Sequence, residues 1–266
     1  MGIDKIGVPE LEMEGVKNQP KSFFDPEKEI TAQDWVKIND DFYKRSGVAT
    51  KHADGWAGYS DELMYRKILK PYSGPASDDT IILMMIENAL KHSRELAEKN
   101  HNWTNFAVQA ARTKVVAHTI DLGIDEQALQ GMNAWLEDAK KSGSWESFSS
   151  HASKMKIIDP KINLGLDQTV LQGIKDSLNK RKLSAEQSGS YVSFLDEAVA
   201  AKIVVPDIDL GLDQNAWQGM KAELGKSREA GHWYDFTWVA AEMKILAAEK
   251  VEATDTGLEI TMPEGK

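Results

Sequence analysis

Apolar and polar positions repeat along the second half of the chain. An aromatic followed three residues later by Phe occurs at Trp103 and Phe106, Trp145 and Phe148, Tyr191 and Phe194, and Trp233 and Phe236. Seven positions after the first aromatic stands Ala110, Ala152, Ala198 or Ala240, and eleven after it Lys114, Lys156, Lys202 or Lys244. Positions 0, 3, 7 and 11 share one face of a helix, so each segment predicts a helix with an apolar stripe. Asn102, Ser144 and Ser190, directly before three of the aromatics, are residue types that cap helices. Trp56, Tyr59, Leu63 and Lys67 fit the same frame and predict an earlier, divergent copy.

Between these helices a second motif recurs: Ile120 to Asp125, Ile162 to Asp167 and Ile208 to Asp213, each followed by Gln130-Gly131, Gln172-Gly173 or Gln218-Gly219. The steps from Asp125 to Asp167 and from Asp167 to Asp213 are 42 and 46 residues, a period that marks a helical repeat. With each Asp as N-cap, Ile124, Leu166 and Leu212 pair with Leu129, Leu171 and Trp217 as hydrophobic staples. Met132, Ile174 and Met220, then Leu136, Leu178 and Leu224, continue the stripe. Breakers at Ser142-Gly143, Ser188-Gly189 and Ala230-Gly231 end it. The longer middle copy places its extra residues in a loop over Leu183 to Gln187.

Residues 1–30 carry Pro9, Pro20 and Pro26 without a sustained period and read as an extended arm. Thr31 and Asp34 open a helix through Trp35, Ile38 and Phe42 that ends near Ser46-Gly47. A short helix starts at Ser60 and stops before Pro71. Ser77 to Asp79 open a long helix to Asn100, the most apolar of these and so placed at the centre of the core. Leu258, Ile260 and Met262 alternate with polar residues, as in a short strand or an arm. The organisation is an arm over 1–30, N-terminal helices over 31–102 and αα-hairpin repeats with a terminal half-repeat over 103–251. A C-terminal arm follows over 252–266. The fold is all-α: tandem αα-hairpins stacked as a short solenoid or closed into a compact bundle.

Composition narrows the function classes. Lys+Arg 32 against Asp+Glu 42 gives −10, which argues against nucleic acid and anionic membrane surfaces as partners. Cys 0 excludes disulfides, thiolate metal sites and Cys nucleophiles. The longest apolar run, Ile81 to Ile86, falls far short of the roughly 20 residues that span a bilayer, so no membrane insertion is expected. The chain reads as soluble and cytoplasmic, with a secretion signal removed before maturity as the alternative.

Candidate chemistry is sparse. The Gly inside each second helix costs about 1 kcal/mol relative to Ala and implies a close helix crossing before a ligand gap. The repeated Lys answers the carbonyls at a helix C-terminus before it grips an anionic partner. Asp121 with Asp125, Asn163 with Asp167, and Asp209 with Asp213 pair side-chain oxygens around a Gly and are the calcium candidates. Their spacing differs from an EF-hand loop, and N-capping accounts for the second Asp of each. The Glu-x-x-His pairs Glu98–His101 and Glu229–His232 lie at helix ends, unlike the mid-helix pairs of di-iron bundles. His52, His92, His118 and His151 lack metal spacing, and no phosphate-loop or nucleophile-elbow motif occurs. No cofactor is expected.

Stacked hairpins expose an extended binding face. The expected function is therefore a non-catalytic binding or accessory subunit of a larger assembly, with a protein partner or a second copy of the chain. The alternative is an enzyme or small-ligand or metal-binding protein with an Asp/Glu/His site between helices. A pocket gathering His92, His101, His118, Glu87 and Glu98 would favour it.

Overall fold

The computed structural model describes residues 24–49, 55–70 and 80–263. Helices α1 (Pro26–Glu29), α2 (Ala32–Ala49), α3 (Gly55–Leu69) and α4 (Thr80–Asn100) are followed by the repeats. These are α5 (Thr104–Val116), α6 (Glu126–Ser142), α7 (Trp145–Ile158), α8 (Gln168–Ser188), α9 (Val192–Val204), α10 (Gln214–Ala230) and α11 (Trp233–Ala247). Strands β1 (Lys250–Thr254) and β2 (Gly257–Thr261) pair antiparallel, with Val251 opposite Ile260. Among the described residues no helix is long and apolar enough to cross a membrane.

The hairpins close into a ring. Helices α3, α5, α7, α9 and α11 each pack on the next, and α11 packs back on α3. Helices α2, α4, α6, α8 and α10 lie outside them, wedged between neighbouring inner helices. The repeated Lys marks the direction of the inner ring. Lys67 Nζ donates to the Val116 carbonyl (3.3 Å) and Lys114 Nζ to Ile158 (2.8 Å). Lys202 Nζ donates to Leu246 and Ala248 (2.9 and 2.6 Å), and Lys244 Nζ to Ile68 and Leu69 (2.8 and 3.0 Å). Each ammonium thus serves the last turn of the next inner helix and not its own, meeting carbonyls that have no intrahelical donor. All four contacts join C-terminal ends, so the inner helices run parallel and their N-termini share the other end of the ring.

The aromatic frame locks inner to outer helices. Phe106, Phe148, Phe194 and Phe236 are 0 % exposed. Each meets the preceding aromatic edge-on, with ring centroids 5.6, 6.2, 6.3 and 5.5 Å apart. The helical glycines are the seats of those aromatics: a Cβ on Gly131, Gly173 or Gly219 would stand 2.1–2.2 Å from the ring of Trp103, Trp145 or Tyr191. The divergent copy follows the frame at Leu63, which is buried, and at Lys67, while the Trp56 and Tyr59 side chains lie outside the described residues.

Several expectations change. Helix α4 is an outer helix with Met84 57 % and Leu96 43 % exposed, because the centre belongs to the inner ring. The extra residues of the middle copy are not a loop. Helix α8 runs unbroken over 21 residues, since four residues add about one turn and keep the stripe in phase. Helices α2 and α3 reach Ala49 and begin at Gly55. Ser144 makes no side-chain cap to α7, and Trp103 and Tyr191 themselves stand at the N-cap positions of α5 and α9. The residues after 249 form the hairpin, which packs against α5, α7 and α9 at their C-terminal ends and buries Val251. Residues 24–30, expected as part of an extended arm, instead hold α1 and bury Phe24 and Ile30 in the core, and residues 1–23 lie outside the described residues.

The lock makes a quantitative expectation. Gly173→Ala gains helix propensity, yet should destabilise the fold by about 1–3 kcal/mol because its methyl meets the Trp145 ring. Chemical denaturation of G173A, W145F and the double variant checks this. The double variant should lose less than the sum of the singles, whereas simple additivity would separate Gly173 from Trp145.

Candidate functional site

Inner helices are buried on two faces. Positions 0, 3 and 7 of the frame face the outer helices. At about 100° per residue, positions 5, 9 and 12 turn to the opposite side, into the ring. There the five helices enclose a cavity of about 370 Å³. Its floor is position 12 of every copy, Ile68, Val115, Ile157, Ile203 and Ile245, and Leu258 of β2 closes the same end. Above the floor, position 9 forms a collar of Tyr65, Arg112, Lys154, Ala200 and Glu242. Position 5 adds Asp61, Val108, Ser150 and Asp196, and Glu146 stands at the rim. Ser150, Asp196 and Glu146 are exposed, so the cavity opens at the N-terminal end of the inner helices.

The collar is charged and only partly satisfied. Asp61 forms an ion pair with Arg112 through Oδ1 and Nε, and Tyr234 Oη donates to Asp61 Oδ2 at 3.4 Å. Tyr65 and Tyr234 meet edge-on at 6.3 Å. Lys154 Nζ donates to Ser150 Oγ (3.2 Å) and faces Glu242 and Asp196 without closing an ion pair with either. Glu242 is 7 % exposed, and its Oε2 has no hydrogen-bond partner. Asp196 and Trp238 lie beside the Glu242 carboxyl.

Burial raises the Glu242 carboxyl well above its ordinary range, and the neighbouring Asp196 charge raises it further. Asp196 is raised for the same first reason, against the opposing pull of its contact with Glu242 and of the Lys154 charge. Two like carboxyls this close favour one shared proton. Burial also raises Asp61, against the opposing pull of Arg112, and lowers Lys154. The Tyr65 and Tyr234 phenols are pushed upward by burial and keep their protons. The cavity therefore holds a buried carboxyl raised above its ordinary range, a second raised carboxyl that shares its proton, an ammonium lowered by burial and a guanidinium. Such a set can orient a polar ligand or move a proton to or from it.

The residues singled out from the sequence lie elsewhere. In the acidic loops, Asp121, Asn163 and Asp209 each accept from the backbone of Gly123, Gly165 and Gly211 through Oδ1 (2.9, 3.0 and 2.9 Å). Asp125, Asp167 and Asp213 accept from Ala128, Val170 and Ala216 (2.9 Å each), as N-caps do. A side-chain cation also reaches two of these loops, Arg94 at Asp125 and Lys182 at Asp213 (2.6 Å). Among the described residues no three of His, Asp and Glu gather as a metal cage. His101 and His232 sit at helix ends, Glu98 pairs with Arg94 (3.0 Å), and Glu87 with Lys91 (2.7 Å). None of these, nor His92 or His118, lines the cavity, and His52 lies outside the described residues. His151 is buried against Trp135, with Nε2 3.1 Å from the Met132 carbonyl, and burial pushes it down to about 4. It supports the fold. The signal that could have revealed the site is a charge inside a helix apolar on all sides: Asp196 in α9 and Glu242 in α11.

Glu242 should cost stability in a pH-dependent way. Its carboxyl is raised in the folded chain, so folding loses stability as pH climbs above the ordinary value of 4.5, where only the unfolded chain ionises. Glu242→Gln should therefore raise stability at pH 8 by on the order of 1–3 kcal/mol, with the gain shrinking toward pH 4.5. Thermal melts across this range check it. A Gln variant less stable than the parent at pH 8 would mean that the carboxylate is well paired.

No family model, curated protein or solved structure matches this chain, so the chemistry of the site is read from its own side chains.

Proposed function

We propose that the protein binds a small organic molecule in the central cavity, through the charged collar and the aliphatic floor. The observation that carries this is the buried Glu242 carboxyl, one oxygen of which has no hydrogen-bond partner, on a residue that lines a cavity also lined by Lys154. A ring used only as a scaffold would be more stable with apolar residues at position 9, because buried charge costs more than it returns unless fully paired. The volume lies within the ordinary range of ligand pockets, roughly 300–1,000 Å³. Acid–base catalysis on the bound molecule fits the same groups. An accessory-subunit role stands second, favoured by Val36 and Tyr43, seven residues apart on α2 and both open to solvent.

Ala200→Met tests the proposal, since it fills the one small place in the collar. Parent protein should be stabilised in thermal melts by a fraction of a small-molecule cell extract, by about 2.7 kcal/mol when the ligand is present at a hundred times its Kd. A200M should lose that gain while keeping its helical circular dichroism. An extract that stabilises both proteins equally, or neither, would count against a cavity ligand.

A further inference from the structure

The layers of the ring narrow the chemical class of the ligand. The floor presents five aliphatic side chains, Ile68, Val115, Ile157, Ile203 and Ile245, which offer no hydrogen bond. The collar lies three residues higher on each helix, roughly 4.5 Å along the axis. Opposite charges stand on different walls of the cavity above the floor. Glu242 on α11 and Asp196 on α9 form the acidic side, with Lys154 on α7 facing them. Between Lys154 and Glu242, in ring order, position 9 is Ala200. Its methyl group is the smallest side chain of the collar, and no ion pair joins the ammonium to the carboxyl on either side of it.

The other charges of the collar are spoken for. Arg112 is tied to Asp61, and Asp61 also accepts from Tyr234. Lys154 has Ser150 Oγ as its hydrogen-bond partner, which leaves ammonium protons for a ligand. Glu242 lines the cavity, and its carboxyl keeps one oxygen, Oε2, without a hydrogen-bond partner. An anion would meet Lys154 but also two carboxyls. A cation would meet the carboxyls but also an ammonium. A neutral polyol could bridge both groups, yet it would set its hydroxyls against the aliphatic floor, where they find no partner. A molecule carrying one charge of each sign and an apolar body answers every layer.

We propose, on the basis of the cavity reading, that the ligand is a zwitterion with an apolar side chain, of the chemistry of an α-amino acid. Its ammonium takes the place of the proton shared by Glu242 and Asp196, which leaves to solvent, and donates to the Glu242 carboxylate; its carboxylate accepts from Lys154, and its side chain rests on the aliphatic floor. Asp196, exposed at the water side, completes the acidic wall around the ammonium.

Isothermal titration of the full chain with the common L-α-amino acids tests this. Three comparators are matched to the tightest binder: the amine lacking its carboxylate, the acid lacking its amine, and glucose as a neutral polyol. At least one apolar amino acid should bind, and removal of either charged group should weaken binding at least tenfold. Lys154→Met and Glu242→Gln should each weaken the zwitterion at least tenfold. E242Q should lower the preference for the zwitterion over the amine-free acid, a change that general loss of structure would not produce. Leu183→Ser, on the outer surface, should bind as the parent does, and melts of each variant establish folding. The proposal falls if no amino acid binds the parent, or if amine, acid or glucose binds as tightly. If it falls while an extract ligand sensitive to A200M is recovered, the cavity reading survives without it.

Discussion

A ring of helices encloses a space only when its last member meets its first, and here that seam is made by α11 against α3. Lys244 holds the final carbonyls of α3, Tyr234 reaches Asp61, and the Tyr65 and Tyr234 rings meet edge-on. The outer layer closes at the same place. Lys221 of α10 pairs with Glu29 (2.5 Å), and Arg228 with Asp34 (2.9 Å). Without this seam the same hairpins would stack as an open solenoid, and positions 5, 9 and 12 would line a groove. With it they line a cavity. The charged collar, its shifted protons and the ligand reading all depend on that closure.

Each repeat divides its labour between two faces. The outward face is nearly invariant from copy to copy: an aromatic seated on a glycine, a buried Phe, an Ala and a Lys. Periodic packing of this kind supplies stability in nearest-neighbour increments. The inward face keeps its aliphatic floor but varies above it, from Tyr65 through Arg112, Lys154 and Ala200 to Glu242. Variation inside an otherwise regular array places different chemistry at each point of one cavity. It also carries a cost, since Glu242 leaves an acceptor unpaired in the interior. Local departures from the rules of a stable fold are where function is expected.

The outward face was legible because three signals coincided at a fixed spacing: the aromatic with its Phe, the Asp cap with its staple, and the Gln-Gly pair. Asp125, Asp167 and Asp213 cap their helices as their position implies. The glycines mark close approach, with an aromatic ring as the neighbour. Ring closure was not legible, because it depends on the small rotation between successive hairpins, which no residue spacing encodes. That is why the long apolar run of α4 points to the centre although the helix lies outside. The cavity is hidden in the sequence for a related reason. A single stripe at positions 0, 3, 7 and 11 describes a helix buried on one side, whereas the inner helices are buried on both. Asp196 and Glu242 then look like solvent positions until the second face is recognised.

Because the chain has no cysteine, closure can be measured directly with an introduced pair. Glu29 and Lys221 are ion-paired across the seam although 192 residues separate them. In an open stack of helix pairs spaced about 8–10 Å apart, the two sites would lie several helix diameters from each other. The double variant Glu29→Cys, Lys221→Cys, treated at low concentration with a short bis-maleimide, should join into an internal loop that peptide mass mapping identifies, without dimer formation. Failure of that internal link, with both cysteines reactive and the helical signal intact, would contradict the closed ring.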